Sequence, residues 1–228
     1  DKVNNLSFSI GYLLEPCEPI SGLLGWGLYE LCFNFGLLNF ISFLHECRMA
    51  EQNYSYHKQL EASGDGQALG DYIYDQKDLL NSGINNISKY KYGNALFKDV
   101  GCEVIAIYNL LISLGRPQHL STVIYNCEIR FMIRDYSAGY LGSCAYRISD
   151  ILTFYQINYY MGYSKVEKDW FLKYVDKKDS CDLIVSKWDK HSIKNGFHTF
   201  FVKKMKSHNY FTDKYDGMIN NRFESLNE

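Results

Sequence analysis

The sequence predicts an α+β fold, with helices first and a C-terminal antiparallel sheet last. Two observations predict it. An almost unbroken apolar run from Gly101 to Leu114 follows Asp99 and stops at Gly115 and Pro117, which reads as a buried helix with a start and a stop. Three short β-rich segments, Asp182–Trp188, Gly196–Lys203 and Asn209–Asp213, come after it. Helices followed by strands is the order of an α+β domain.

The elements follow in chain order. Residues 20–44 are apolar with one charge, Glu30, and are long enough to span a bilayer. Glu30, Asn34 and Asn39 near the middle are costly in lipid, so the segment reads as buried or interfacial rather than as a span. Residues 51–69 are polar, with the breaker Ser63-Gly64-Asp65-Gly66, and read as a linker or surface loop. Residues 71–90 read as a short helical or mixed stretch. The Cys102 helix comes next. His119–Arg134 reads as a second helix, with Ser121 and Thr122 as candidate caps. Residues 137–146 are a loop of small residues, and Ile148–Tyr160 is a third helical stretch. The three strands complete the order.

With 228 residues, 46% hydrophobic, the chain has material for a real core and matches no disordered composition. A net charge of −2 gives no reason to expect nucleic acid as a partner. Residues 165–206 carry eleven Lys against six acids, a local excess read as a solvated face. The seven Cys are odd in number and contain no CxxC pair, against both a structural zinc site and a dense disulfide framework. A reduced compartment explains them most simply, and a secreted protein with one free catalytic thiol fits as well. His45, His57, His119, His191 and His208 lack metal-ligand spacing, and no phosphate-loop, dinucleotide or serine-hydrolase motif occurs. No metal and no cofactor is therefore expected. The sequence opens on Asp1 rather than Met, which reads as a processed product, a fragment or part of a longer polypeptide.

Cys102 carries the chemical interest. A thiol in the first turn of a helix sits at the positive end of the helix dipole, which favours the nucleophilic thiolate. A thiol enzyme also needs a base and a group to orient it. His198, inside a predicted strand and on one face with Phe200 and Val202, is the candidate base. If the following hairpin turns between Met205 and Lys206, Asp213 faces His198 and can fix its tautomer; a slightly later turn makes Asp213 a diagonal neighbour. Each residue also has a plain structural reading: a buried inert thiol, a core histidine, a polar strand end.

Tyr92-Gly93-Asn94 followed by Gly101-Cys102-Glu103-Val104-Ile105-Ala106-Ile107-Tyr108-Asn109 resembles the nucleophile region of the C39-like, papain-fold cysteine peptidase-like proteins of anaerobic Firmicutes. Gly139–Tyr146, Gly196-Phe197-His198-Thr199 and Tyr210–Tyr215 resemble that group's later segments in the same order. The resemblance covers about residues 88–216, so residues 1–87 form a separate N-terminal segment and 88–228 a papain-like domain, its nucleophile helix packed on the antiparallel sheet. It implies Cys102 as nucleophile, His198 as base and Asp213 as orienting residue, where relatives usually carry Asn. Relatives commonly carry an oxyanion Gln about six residues before the Cys; position 96 is Leu, and Asn94 is the nearest amide. One lost oxyanion donor costs about 10²–10³ in rate. The expected function is a thiol-dependent hydrolase or acyltransferase acting on a peptide or protein substrate, cytoplasmic or exported within a larger bacterial protein. The alternative is a catalytically weak or inactive binding module, with residues 20–44 as an apolar docking or membrane-contacting surface.

Overall fold

The computed structural model describes residues 12–14, 36–76, 87–131, 147–162, 165–188, 197–205, 208–212 and 222–223. In chain order these form β1 (Tyr12–Leu14), α1 (Gly36–Ala62), β2 (Lys91–Tyr92), β3 (Ala95–Leu96), α2 (Phe97–Val100), α3 (Cys102–Ser113), α4 (Leu120–Phe131), α5 (Ile148–Phe154), α6 (Lys165–Asp176), β4 (Cys181–Trp188), β5 (Phe197–Met205), β6 (His208–Thr212) and β7 (Arg222–Phe223). A 3-10 turn at Ile87–Lys89 leads into the β2–β3 hairpin. The α+β class is as the sequence predicts.

The main sheet has the order β1-β4-β5-β6-β7. It is antiparallel from β4 onward, but β1 joins β4 in parallel, Tyr12 opposite Ile184. The wholly antiparallel C-terminal sheet is corrected on that point: a strand from the start of the chain completes its edge. Of the two hairpin registers the sequence allowed, the structure has the later one. Phe201 lies opposite Thr212 and Met205 opposite His208, so the turn falls between Lys206 and Ser207, one residue later than the earlier centre.

Strand alternation gives the sheet two different faces. On one, Ile184 and Phe201 join the α3 residues Val104–Leu111 in the large core, with Tyr72 stacked on Phe201 at 6.5 Å. On the other, Leu183 and Val202 pack with Phe171 and Val175 of α6. α3 is buried along nearly its whole length. Its end is the one the sequence announces: Gly115 takes a left-handed φ of 68° and Arg116 N–H donates to Leu111 O at 2.9 Å.

Two helices depart from the sequence reading. Residues 51–62 are not a linker but the second half of α1, which ends at the foreseen breaker with Gly64 at φ 79°. Met49 and Ile73 share the core with α3, so the described residues before 88 pack together with those after it. α5 stops at Phe154 rather than Tyr160, because Gln156 adopts a left-handed φ of 54° and Ile157 N–H donates to Leu152 O at 2.9 Å. At 71–90 the described residues contain no α-helix but a β-bridge at Asp75 and the 3-10 turn. Residues 20–35 and 137–146 lie outside the described residues. No described helix is long and apolar enough to cross a membrane.

Candidate active site

Cys102 is the first residue of α3, and local packing explains why the helix starts there. Gly101 N–H donates to Phe97 O at 2.8 Å, closing the single turn of α2. A Cβ on Gly101 would lie 2.5 Å from Phe97 Cε2 and 2.6 Å from Phe97 O, so only glycine lets α2 and α3 meet at this angle. Cys102 is 7% exposed, and its thiol donates to Oε2 of the buried Glu103 at 3.0 Å. The helix start favours the thiolate, while an adjacent carboxylate favours the protonated thiol, so the two influences oppose each other.

The other end of α3 is tied to the sheet. Ser113 Oγ donates to Asp182 Oδ1 at 2.9 Å, and Lys203 Nζ donates to Ser113 Oγ at 2.9 Å. From Ser113 back to Cys102 the helix rises about 16 Å, and from Lys203 back to His198 the strand runs about 17 Å. Cys102 and His198 thus stand at similar distances along their own elements from the Ser113–Lys203 contact.

The two side chains start from different faces. Phe201 and Lys203 meet the α3 side, so alternation gives Thr199 to that side and His198 to the α6 side. Thr199 Oγ1 and Ser186 Oγ are 2.7 Å apart, both buried on the α3 side. His198 is half-buried, its ring stacked on Phe200 at 6.0 Å between centroids. For its imidazole to serve Cys102, the ring must turn over the sheet's end, where β5 has only Phe197 before it. Asn94 is exposed in the β2–β3 turn, and Asp213 lies outside the described residues.

Sequence reasoning missed three buried polar groupings. Asn53 of α1 donates to Glu128 Oε1 at 2.7 Å and to Gly93 O at 2.9 Å, while Gly93 N–H donates to the same Glu128 oxygen at 2.8 Å. Glu61 of α1 accepts from Ser121 N–H and Oγ at 2.9 and 2.8 Å, supplying the α4 start with a cap from another helix. Asn109 exchanges two bonds with the backbone of Ile73, at 3.0 and 2.9 Å. The available signal was the helical spacing of Glu46, Asn53 and His57, hidden because a polar residue at a core position looks like a surface residue.

Cys47, Cys102, Cys127 and Cys181 are not in disulfides, and burial pushes Cys181 up to about 11. Among the described residues no group of three His, Cys, Asp or Glu could hold a metal ion. No family model matches the chain, and neither a curated protein nor a solved structure does.

Proposed function

We propose that the chain is a thiol-dependent hydrolase of papain-like arrangement, cleaving a peptide or amide bond, with Cys102 as nucleophile, His198 as base and Asp213 as orienting group. His198 takes the thiol proton as Cys102 Sγ attacks the carbonyl carbon. The tetrahedral intermediate collapses to a thioester as His198 returns the proton to the leaving amine. Water, deprotonated by His198, then releases the acid. An amine in place of water makes the same chemistry acyl transfer. What supports the reading is that α3 packs on β5, with Cys102 opening the helix and His198 one residue into the strand.

Limited iodoacetamide labelling with peptide mapping tests it. Cys102 is expected to label ahead of Cys127 and Cys181 across pH 5–8. Equal or slower labelling of Cys102 removes the main support.

A second reading, a binding module without catalysis, is favoured by the His198 ring lying on the α6 side with Phe200 and by the Cys102–Glu103 bond. On that reading the thiol is a core residue and its labelling does not depend on His198.

A further inference from the structure

We propose that Glu128 is a proton-operated latch: its neutral carboxyl holds the Tyr92-Gly93-Asn94 turn against α1 and α4, and its ionised form lets that turn open to water. The latch stands independently of the thiol chemistry.

Its parts come from three elements. Glu128 is fully buried on α4, and one oxygen, Oε1, receives both Asn53 Nδ2 from α1 and Gly93 N–H from the hairpin turn. Asn53 spends its other amide hydrogen on Gly93 O, so the turn is gripped at both its N–H and its C=O. Gly93 has a left-handed φ of 59°, the conformation that presents both groups to the helices. Glu128 Oε2 is buried and has no hydrogen-bond partner. A neutral carboxyl suits this arrangement, with the carbonyl oxygen accepting twice and the proton on the other oxygen. A carboxylate leaves a charged oxygen without water or a donor, which is costly in a buried site.

Burial accordingly pushes the Glu128 carboxyl up to about 8 from an ordinary 4.5, against the smaller opposing pull of Asn53 and Gly93. Among the described residues, the groups near it come from three elements. From α1 come Asn53, Tyr54 and His57; from α4, Tyr125, its ring tilted against Tyr54 at 4.9 Å between centroids; from the hairpin, Lys91 and Gly93. Burial raises the Tyr125 phenol, with Glu51, Cys47, Tyr54 and Glu128 adding to it, so it stays protonated near neutrality. His57 accepts Lys91 N–H on Nε2 at 3.0 Å, and burial lowers it from 6.5 to about 4, so it is neutral in the closed turn and, toward pH 8, in the open turn as well. Lys91 directs its ammonium over the Tyr56 ring at 5.7 Å. Between pH 6.5 and 8, Glu128 is the group whose proton differs most between closed and open turn. The closed state binds that proton and the hydrated open state does not, so opening becomes easier as pH rises through this window, by up to about tenfold per pH unit.

Amide hydrogen exchange of the full chain by NMR tests this. The protection factor of the Gly93 amide is expected to fall by about tenfold per unit from pH 6.5 to 8, at a rate indifferent to dilute urea, as a local opening requires. The Glu128→Gln variant, which keeps a neutral acceptor, is expected to flatten that slope. A wild-type Gly93 protection factor that is flat in pH overturns the latch. So does exchange that dilute urea accelerates, since Gly93 then opens only with the whole molecule. A Glu128→Gln chain with an unchanged slope overturns it as well, and if that variant does not fold, the wild-type measurement alone decides.

Discussion

Lys203 Nζ reaches Ser113 Oγ at 2.9 Å, and this contact ties the last residue of the Cys102 helix to the far end of β5. Asp182, 5% exposed, accepts the Ser113 hydroxyl proton from the other side, so one serine bridges a carboxylate and an ammonium. The bridge anchors the C-terminal end of α3 to β4 and β5 together.

Removing either charged partner has unequal cost. Burial raises the Asp182 carboxyl, partly countered by Ser113 and Lys203. Lys203→Met leaves that carboxylate buried without its cation and is expected to cost about 1–2 kcal/mol at pH 7, a figure reduced because Lys203 is half-exposed. Asp182→Asn keeps an acceptor for Ser113 and is expected to cost less. The raised folded value means the Asp182 proton stabilises the fold at acid pH and that contribution is lost as pH rises through the folded value. Urea unfolding of both variants at pH 5 and pH 7 checks the order; Asp182→Asn being the more damaging at pH 7 contradicts it.

Asn109 does the work of a strand neighbour from within a helix, taking Ile73 N–H and donating to Ile73 O. Asn109→Ala leaves both backbone groups unpaired in a site with no exposure, at an expected cost of about 2–4 kcal/mol. Chemical denaturation gives the number, and a loss under about 1 kcal/mol would show that water replaces the amide.

Two glycines flanking α3 are needed for different reasons, and alanine separates them. At Gly101 the added methyl meets Phe97 ring and backbone, so Gly101→Ala is expected to cost about 1–3 kcal/mol and to disturb the start of α3. At Gly115 nothing lies within 4 Å and only the φ of 68° is strained, so Gly115→Ala is expected to cost about 1–2 kcal/mol and to leave Cys102 labelling unchanged. Thermal melts with thiol labelling on both variants distinguish clash from strain.

What the sequence made legible follows the same division. α3 was legible because it is apolar on every side and ends on a left-handed glycine, and β4, β5 and β6 because β-rich runs stood between breakers. The stop of α5 was hidden because Gln156, not glycine, takes the left-handed position. The second half of α1 was hidden because its buried face carries Asn53 and His57, whose partners lie on Gly93, Glu128 and Lys91, 34 to 75 residues away. Of the candidate site, the helix-start thiol and the strand histidine were legible as local features. Their relation was not, since it depends on which face of β5 meets α3, and that is decided by Phe201 and Lys203 rather than by His198.

The relation of His198 to Cys102 therefore carries the decisive prediction. An imidazolium beside a thiol favours the thiolate, and losing one pK unit of that assistance lowers alkylation about tenfold below the thiol's titration. His198→Ala is expected to slow iodoacetamide labelling of Cys102 by tenfold or more at pH 6–7, with labelling of Cys127 unchanged as the internal control. The variant is expected to fold, since His198 is half-buried near a strand end and its ring contact is with the partly buried Phe200. Glu103→Gln supplies the opposite sign: removing the carboxylate that accepts the thiol proton is expected to speed labelling at the same pH. If His198→Ala leaves Cys102 labelling untouched while Glu103→Gln accelerates it, the thiol answers to its helix neighbour and not to the strand. The chain then belongs with the non-catalytic reading, in which His198 keeps to the α6 face.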